Sequence, residues 1–465
     1  MDTSYAINER DGTQRWSFTL DSQPAVKPVP GNRQPADATT DGGIVTSTAY
    51  FVPGDTTQPD LVIFGGGFTL YALRADTGAL YWKHVYSGKP EAPPDPDSDP
   101  TRIFSSPAVV GDDVLFGVSP DGTAGYRGYM AAADLATGEP RWRLELDGTD
   151  ATGAPRDDGC GNVWASPTID LAKNVEIVGT ADCNAQAATS PHAEHVLGVR
   201  IGDGTIAWEF VPPREQRSDP ACDFDFGATA NLGVDASGDA GFIGVGGKDS
   251  TYYSLDAADP AAPPRWSTNV VFGGTSGGFL GSTAYDGARV YGATAIGDFN
   301  PGGTGCEPAD PNDTAVQEPS MHSLNPASGA VMWEQDASQS LGPTTDAAGM
   351  TFAGAALARR LEVYDAASGT PVAAIPGVNS DSGVVPSGNA LFLGIGSSEQ
   401  GAGDGVLALT PSGVQPASEP AAEAAEWPGF APAAVLVSTG VGVVAWRRLG
   451  RRTSRRRPDA GVVAS

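Results

Sequence analysis

Asp223 and Asp225 sit one aromatic apart in the segment CDFDFGA. On an extended strand alternate side chains share a face, so both carboxylates would point the same way. Such a pair can offer the oxygen ligands that a hard cation such as Ca²⁺ takes, or a base that accepts a hydroxyl proton. Buried together without a cation, the two would repel and one pKa would rise. At a solvated strand edge they would do neither. Lys248, one of only five lysines, lies in the apolar context GVGGKDS. A positive charge there could stabilise a developing oxyanion, and a rim lysine is the plainer reading. His192 and His195, in HAEH, have metal-like spacing, but the sequence shows no third convergent ligand, which leaves a loop. No P-loop occurs, and GGTSGG (Gly273 to Gly278) precedes no helix that could cradle phosphate.

Cys160, Cys183, Cys222 and Cys306 form no CxxC or CxxCH pattern, so zinc ribbons and c-type haem are not indicated. In an exported chain four cysteines suggest two disulfides, with three possible pairings. Blade order favours Cys160–Cys183 and Cys222–Cys306, and buried free thiols are the cytosolic alternative.

The elements that must position these residues are short. Gly 61 and Pro 38, with 18% charged residues, suit many strands joined by tight turns. One unit recurs: an apolar strand, a turn ending in Gly, then a strand carrying Trp. It reads INERDGTQRW, LRADTGALYW, ADLATGEPRW, VRIGDGTIAW and LNPASGAVMW, with LDAADPAAPPRW carrying a longer turn and degenerate copies YDAASGTPVA and LALTPSG. Five copies place Trp four residues after the turn Gly. Glycine tolerates the positive φ of a tight turn, and the Trp can pack between neighbouring units. Apolar or alternating strands such as LVIFGG, DVLFGV and GFIGVGG lie upstream of the turns. The Trp spacing of 58–67 residues allows four strands and a long loop per unit. The pattern predicts an all-β, eight-bladed β-propeller over residues 1–410, with seven blades as the alternative and incomplete first and last blades.

Residues 411–426 read as an Ala/Pro-rich linker. Trp427 to Trp446 carries no charge in 20 residues and has Trp at both ends, which predicts a transmembrane helix. Seven arginines follow within 447–465, placing that tail in the cytoplasm and the propeller outside the cell membrane. The opening MDTSYAINERDGTQRW carries no export signal and starts within a repeat, so the natural start is expected upstream. The net charge of -28 argues against nucleic-acid binding, because phosphate backbones would be repelled.

The repeat resembles that of PQQ-type propellers, shared by quinoprotein alcohol dehydrogenases and by non-enzymatic propellers. Four further segments, in family order, are similar to the polyvinyl-alcohol-dehydrogenase type: VWASPTIDLAKNVEIVGTAD, CDFDFGA, GGKDSTYYSLDA and GGTSGGFLGSTAYDGARVYGA. The resemblance implies PQQ and Ca²⁺ at the propeller axis, with Trp164 flooring the quinone and Lys248 contacting its oxygens. It implies Asp182 and Asp223 as metal ligands and Asp223 or Asp225 as base. SPDGTAGYRGYMAAADLATG is similar to the family's RG segment, which brings in Arg127 at the cofactor. Where the family has a metal-binding Glu just before it, this chain has Asp121. The vicinal cysteine pair of many relatives is missing. The implied activity is oxidation of an alcohol, with electrons passed to a separate acceptor. The alternative is a non-catalytic surface propeller that binds a protein or glycan.

Overall fold

The computed structural model describes residues 3–20, 47, 49–55, 58–89, 99–120, 125–149, 151–154, 156, 161–181, 190–213, 223–234, 240–274, 277–297, 318–388, 390–396 and 405–410, with the backbone of 434–438 and 443–446. All described regular structure is β, in eight sheets. Seven sheets follow one another along the chain as propeller blades. Blade 1 is Tyr50–Val52, Leu61–Gly66, Thr69–Arg74 and Leu80–Val85; blade 2 is Ala108–Val110, Asp113–Val118, Tyr129–Asp134 and Pro140–Glu145. Blade 3 is Thr168–Asp170, Val175–Gly179, Val196–Arg200 and Ile206–Phe210; blade 4 is Asn231–Val234, Ala240–Gly246, Thr251–Asp256 and Trp266–Asn269. Blade 5 is Ala284–Tyr285, Val290–Ala293, Ser320–Leu324 and Val331–Asp336; blade 6 is Thr345–Ala347, Met350–Ala355, Arg360–Asp365 and Pro371–Pro376. Blade 7 has three described strands, Val385–Ser387, Ala390–Gly394 and Val406–Leu409.

The eighth sheet joins the two ends of the chain. Gln14–Thr19 pairs with Thr3–Asn8, whose other edge pairs antiparallel with Ala434–Ser438, and Val443–Trp446 follows. This differs from the helix expected over 427–446. The described parts of that stretch are two strands, and no helix among the described residues is long and apolar enough to cross a membrane. An apolar run rich in Val can follow either course, and here the open edge of Thr3–Asn8 supplies the hydrogen-bond partners a strand needs. The linker 411–426 and the basic tail 447–465 lie outside the described residues.

The core lies between blades. Leu61–Gly66 is buried along its whole length, because a central strand is covered on both faces. Its alternate residues serve different neighbours. Leu61 and Ile63 pack with Val114, Phe116 and Tyr129 of blade 2, whereas Val62 and Phe64 pack with Ala6 and Trp16 of the terminal sheet. Outer strands such as Leu80–Val85 bury the Trp and expose most of the rest.

The repeated Trp and turn Gly form one interblade stitch. The indole N–H of Trp16 donates to Ala75 O at 2.9 Å, that of Trp82 to Leu135 O at 2.8 Å, and that of Trp142 to Ile201 O at 2.7 Å. Trp266 and Trp333 donate to Pro326 O and Ala366 O, both at 3.0 Å. In all five of these stitches the ring also lies on the turn Gly of the following blade: a Cβ at Gly138, which has φ 76°, would come within 2.5 Å of Trp82. Glycine therefore meets two demands at once, left-handed backbone and room for an indole. Trp208 departs from the pattern. The next turn, LDAADPAAPPRW, has no Gly, and Trp208 packs instead over Gly198 of its own blade, against the blade 3–4 core.

Candidate functional site

The stretch 223–227 is not a strand, contrary to the sequence expectation. It runs between blades 3 and 4 before Asn231–Val234. Phe226 is buried in the core those blades share, with Val175 and Phe210 on one side and Val245 and Tyr253 on the other. The backbone is held from both blades: Phe226 N–H donates to Thr180 O at 3.2 Å, and Lys248 N–H donates to Asp225 O at 2.9 Å. Asp225 N–H donates to Asp223 Oδ1 at 3.0 Å, an Asx-type turn that folds the first carboxylate back toward the second. The two carboxylates converge through this turn, and the pleat plays no part.

Lys248 reaches both from the hairpin between Ala240–Gly246 and Thr251–Asp256. Its Nζ lies 2.6 Å from Asp225 Oδ2 and 3.2 Å from Asp223 Oδ2. It is also 5.4 Å from the centroid of Trp164, within cation–π range. Ser250, at φ 63°, turns that hairpin, and Asp249 braces it by accepting from Thr251 N–H at 3.0 Å and from Tyr253 OH at 2.6 Å.

A third carboxylate completes the group. Glu194, at the left-handed φ of 57°, lies in the turn before Val196–Arg200, and its Oε1 accepts from Phe224 N–H at 3.3 Å. Glu194, Asp223 and Asp225 are all buried, and one oxygen of each lies within 4.8 Å of the others. Three carboxylates lie within ligand distance of one another, an arrangement that suits a cation with oxygen preference. Burial and the neighbouring Asp225 push the Asp223 carboxyl up to about 6, while Lys248 pulls the other way. Burial opposes the charge on Lys248, but Asp225 and Asp223 hold its pKa above the ordinary lysine value.

The structure thus brings Trp164, Asp223, Asp225 and Lys248 together. Arg127 is buried in blade 2, where its guanidinium lies 3.9 Å from Glu145. Asp121, Asp182 and the four cysteines, with both favoured disulfides, lie outside the described residues. Glu194 escaped the sequence reading, although it stands inside the HAEH motif.

Stitched blades and a polar site where two of them meet define a β-propeller with a site at a blade junction. Residues 2–181 match the family described as Outer membrane protein assembly factor BamB. The chain is 23% identical to the polyvinylalcohol dehydrogenase of Sphingopyxis sp. (strain 113P3) over 326 residues. That match covers 62% of this chain and 44% of the relative, so the chain spans less than half of that protein. In fold it is similar to the quinohemoprotein alcohol dehydrogenase from Comamonas testosteroni, with TM-score 0.57 and 17% identity over 85% of this chain and 68% of that one. It is also similar to a europium-containing methanol dehydrogenase, with TM-score 0.56 and 15% identity over 83% of this chain and 78% of that one.

Proposed function

We propose that the junction of blades 3 and 4 is the cofactor site of a quinoprotein-type dehydrogenase that oxidises an alcohol. The observation that carries this is the convergence of three buried carboxylates from two separate segments, two of them paired with one lysine beside an indole. The donor set fits a hard di- or trivalent cation: all oxygen, anionic and buried. Glu194 and Asp225 would hold Ca²⁺ or a lanthanide. Trp164 would lie under PQQ, and Lys248 would face its oxygens. Bound there, the quinone would supply the two-electron acceptor for the substrate hydride.

The chain's own residues have separable roles. Asp223, with its pKa raised to about 6, is the carboxylate suited to take the substrate hydroxyl proton near neutral pH. Lys248 orients Asp223 and Asp225 through its ammonium and supplies positive charge where negative charge develops. Phe224 and Phe226, both buried, keep the carboxylate segment seated against the blades. Electrons would leave to a separate acceptor.

The test is reconstitution of the full chain with PQQ and Ca²⁺ or Eu³⁺, followed by dye-coupled alcohol oxidation. Turnover that requires both additions supports the reading; no quinone binding by folded protein removes it. One observation favours a second reading, a non-catalytic propeller that binds a surface protein or glycan. Lys248 already bridges both aspartates, so the pair is neutralised in part without any cation. In that case Ca²⁺ and PQQ would leave thermal stability unchanged.

Membrane attachment through 427–446, with the propeller outside, is part of the same proposal. It competes with closure of the terminal sheet, because one segment cannot do both at once. Deleting 427–465 decides between them. Release from membranes with an unchanged melting temperature supports the anchor, and a soluble but destabilised propeller supports the strand closure.

A further inference from the structure

The HAEH turn has a second face that the proposed dehydrogenase site does not use. While Glu194 points to the carboxylate group, His192 and His195 point to Glu209 on Ile206–Phe210, the neighbouring strand of blade 3. His192 Nδ1 lies 2.8 Å and His195 Nδ1 2.6 Å from the same oxygen, Glu209 Oε1. All three side chains are half-buried, at 22%, 13% and 27% exposure, so the group is ordered by the fold yet open on one side. Strand register fixes Glu209 there, since it pairs with Leu197, two residues after His195.

The turn is held rigidly. Thr180 N–H donates to His195 O at 2.8 Å, and His195 N–H donates to Thr180 Oγ1 at 2.9 Å. The Thr180 hydroxyl donates to His192 O at 2.5 Å, and Ala193 N–H donates to Ser190 O at 3.1 Å. Both imidazoles are therefore presented by a backbone whose shape does not depend on their contact with Glu209.

We infer that His192, His195 and Glu209 form a binding site for a borderline divalent metal, zinc foremost, with a fourth position open to water. Two imidazoles and one carboxylate are a zinc donor set, and imidazole selects zinc over the harder calcium. The geometry needs little change. Tetrahedral ligation at about 2.0–2.1 Å sets ligand atoms about 3.3 Å apart. Glu209 would have to withdraw by only about 0.5–0.7 Å from the two nitrogens to admit the ion. Each histidine would release its Nδ1 proton, keeping one on Nε2. The site is separate from the carboxylate group and does not depend on the dehydrogenase reading.

The test uses the full chain, stripped with a chelator and dialysed. It is titrated with Zn²⁺ by calorimetry and with Co²⁺ by its visible ligand-field absorption. One equivalent should saturate both. E209Q and H195A should each weaken binding by at least about 100-fold, the upper end of the loss on removing even an outer-shell partner. H192A, which keeps the His195–Glu209 contact, is the variant least disturbing to the fold and should weaken binding similarly. The double variant D223N/D225N should bind Zn²⁺ as the wild type does. Folded E209Q, H195A and H192A with unchanged Zn²⁺ affinity would overturn the site. So would wild type without Co²⁺ absorption, or binding lost in D223N/D225N, and the three side chains would then be a hydrogen-bonded clasp.

Discussion

The indole of Trp164 lies so close to Gly227 that a Cβ on that glycine would come within 1.7 Å of Cη2. Trp164 belongs to the segment entering blade 3 and Gly227 to the segment entering blade 4, so the contact joins two blades. It also sets the distance from the indole to Lys248. G227A should push the ring out of place. Overpacking of this kind costs about 1–3 kcal/mol, to be read from urea midpoints. Near-ultraviolet circular dichroism and tryptophan emission should change together. If G227A keeps both spectra and the stability of the wild type, Trp164 is not seated as described.

Lys248 pairs with both Asp223 and Asp225. K248M should remove this ammonium from two buried carboxylates and cost about 3–5 kcal/mol, as for other broken buried pairs. Added Ca²⁺ should return part of that loss. The pH dependence follows from Asp223, whose folded pKa lies above the ordinary aspartate value. A raised acid binds its proton more tightly in the folded state. Its contribution is complete below the unfolded pKa and is lost as pH rises through about 6. Between pH 4 and pH 7 the wild type should lose up to about 3 kcal/mol from this group, and D223N should lack that slope. Thermal melts across this range check the sign.

The interblade stitch gives a separate prediction. W82F keeps an aromatic ring but removes the N–H that donates to Leu135 O at 2.8 Å. The buried carbonyl then lacks that donor, at a cost of about 1–3 kcal/mol. G138A should cost at least as much, since it adds strain at φ 76° to the clash with the same ring. Chemical denaturation of both variants, alone and combined, tests the coupling. Losses that simply add would show that the two residues do not act on one contact.

Glu176 is a fully buried carboxyl in Val175–Gly179, and neither oxygen has a hydrogen-bond partner among the described residues. Burial raises its pKa well above the ordinary value. Stability tied to it is complete at low pH and falls as pH rises above the ordinary glutamate range. E176Q should therefore raise the melting temperature at pH 8 and gain at least about 1 kcal/mol there. At pH 4 it should gain much less. Equal effects at both pH values would contradict a lone buried acid.

The blades were legible because their stitch uses two residues that little else can replace, a left-handed Gly and an indole. That signal holds at Gly78, Gly138, Gly204, Gly329 and Gly369 and fails at the long turn before Trp266. Asp223, Asp225, Lys248 and Trp164 were visible as unusual residues in otherwise apolar or repeating segments. Their meeting was implied by the family resemblance alone, because it depends on an Asx turn and on the path of 223–227 between blades, which no residue pattern displays. Glu194 and Glu209 were hidden for another reason. Each acts across a turn or strand pair, and sequence order does not show that Glu209 lies beside His192 and His195. The apolar stretch from Trp427 to Trp446 carried length and hydropathy alone, which fit a membrane helix and a sheet-closing hairpin equally.

Lanthanide luminescence tests the carboxylate centre most directly. Tb³⁺ is added to the full chain, Trp is excited, and sensitised emission is followed against the D223N/D225N variant and against E209Q. The account predicts saturable emission at one equivalent, competed by Ca²⁺, abolished in D223N/D225N and retained in E209Q. Emission that is absent in the folded wild type, or that persists unchanged in D223N/D225N, would mean that Glu194, Asp223 and Asp225 hold no cation.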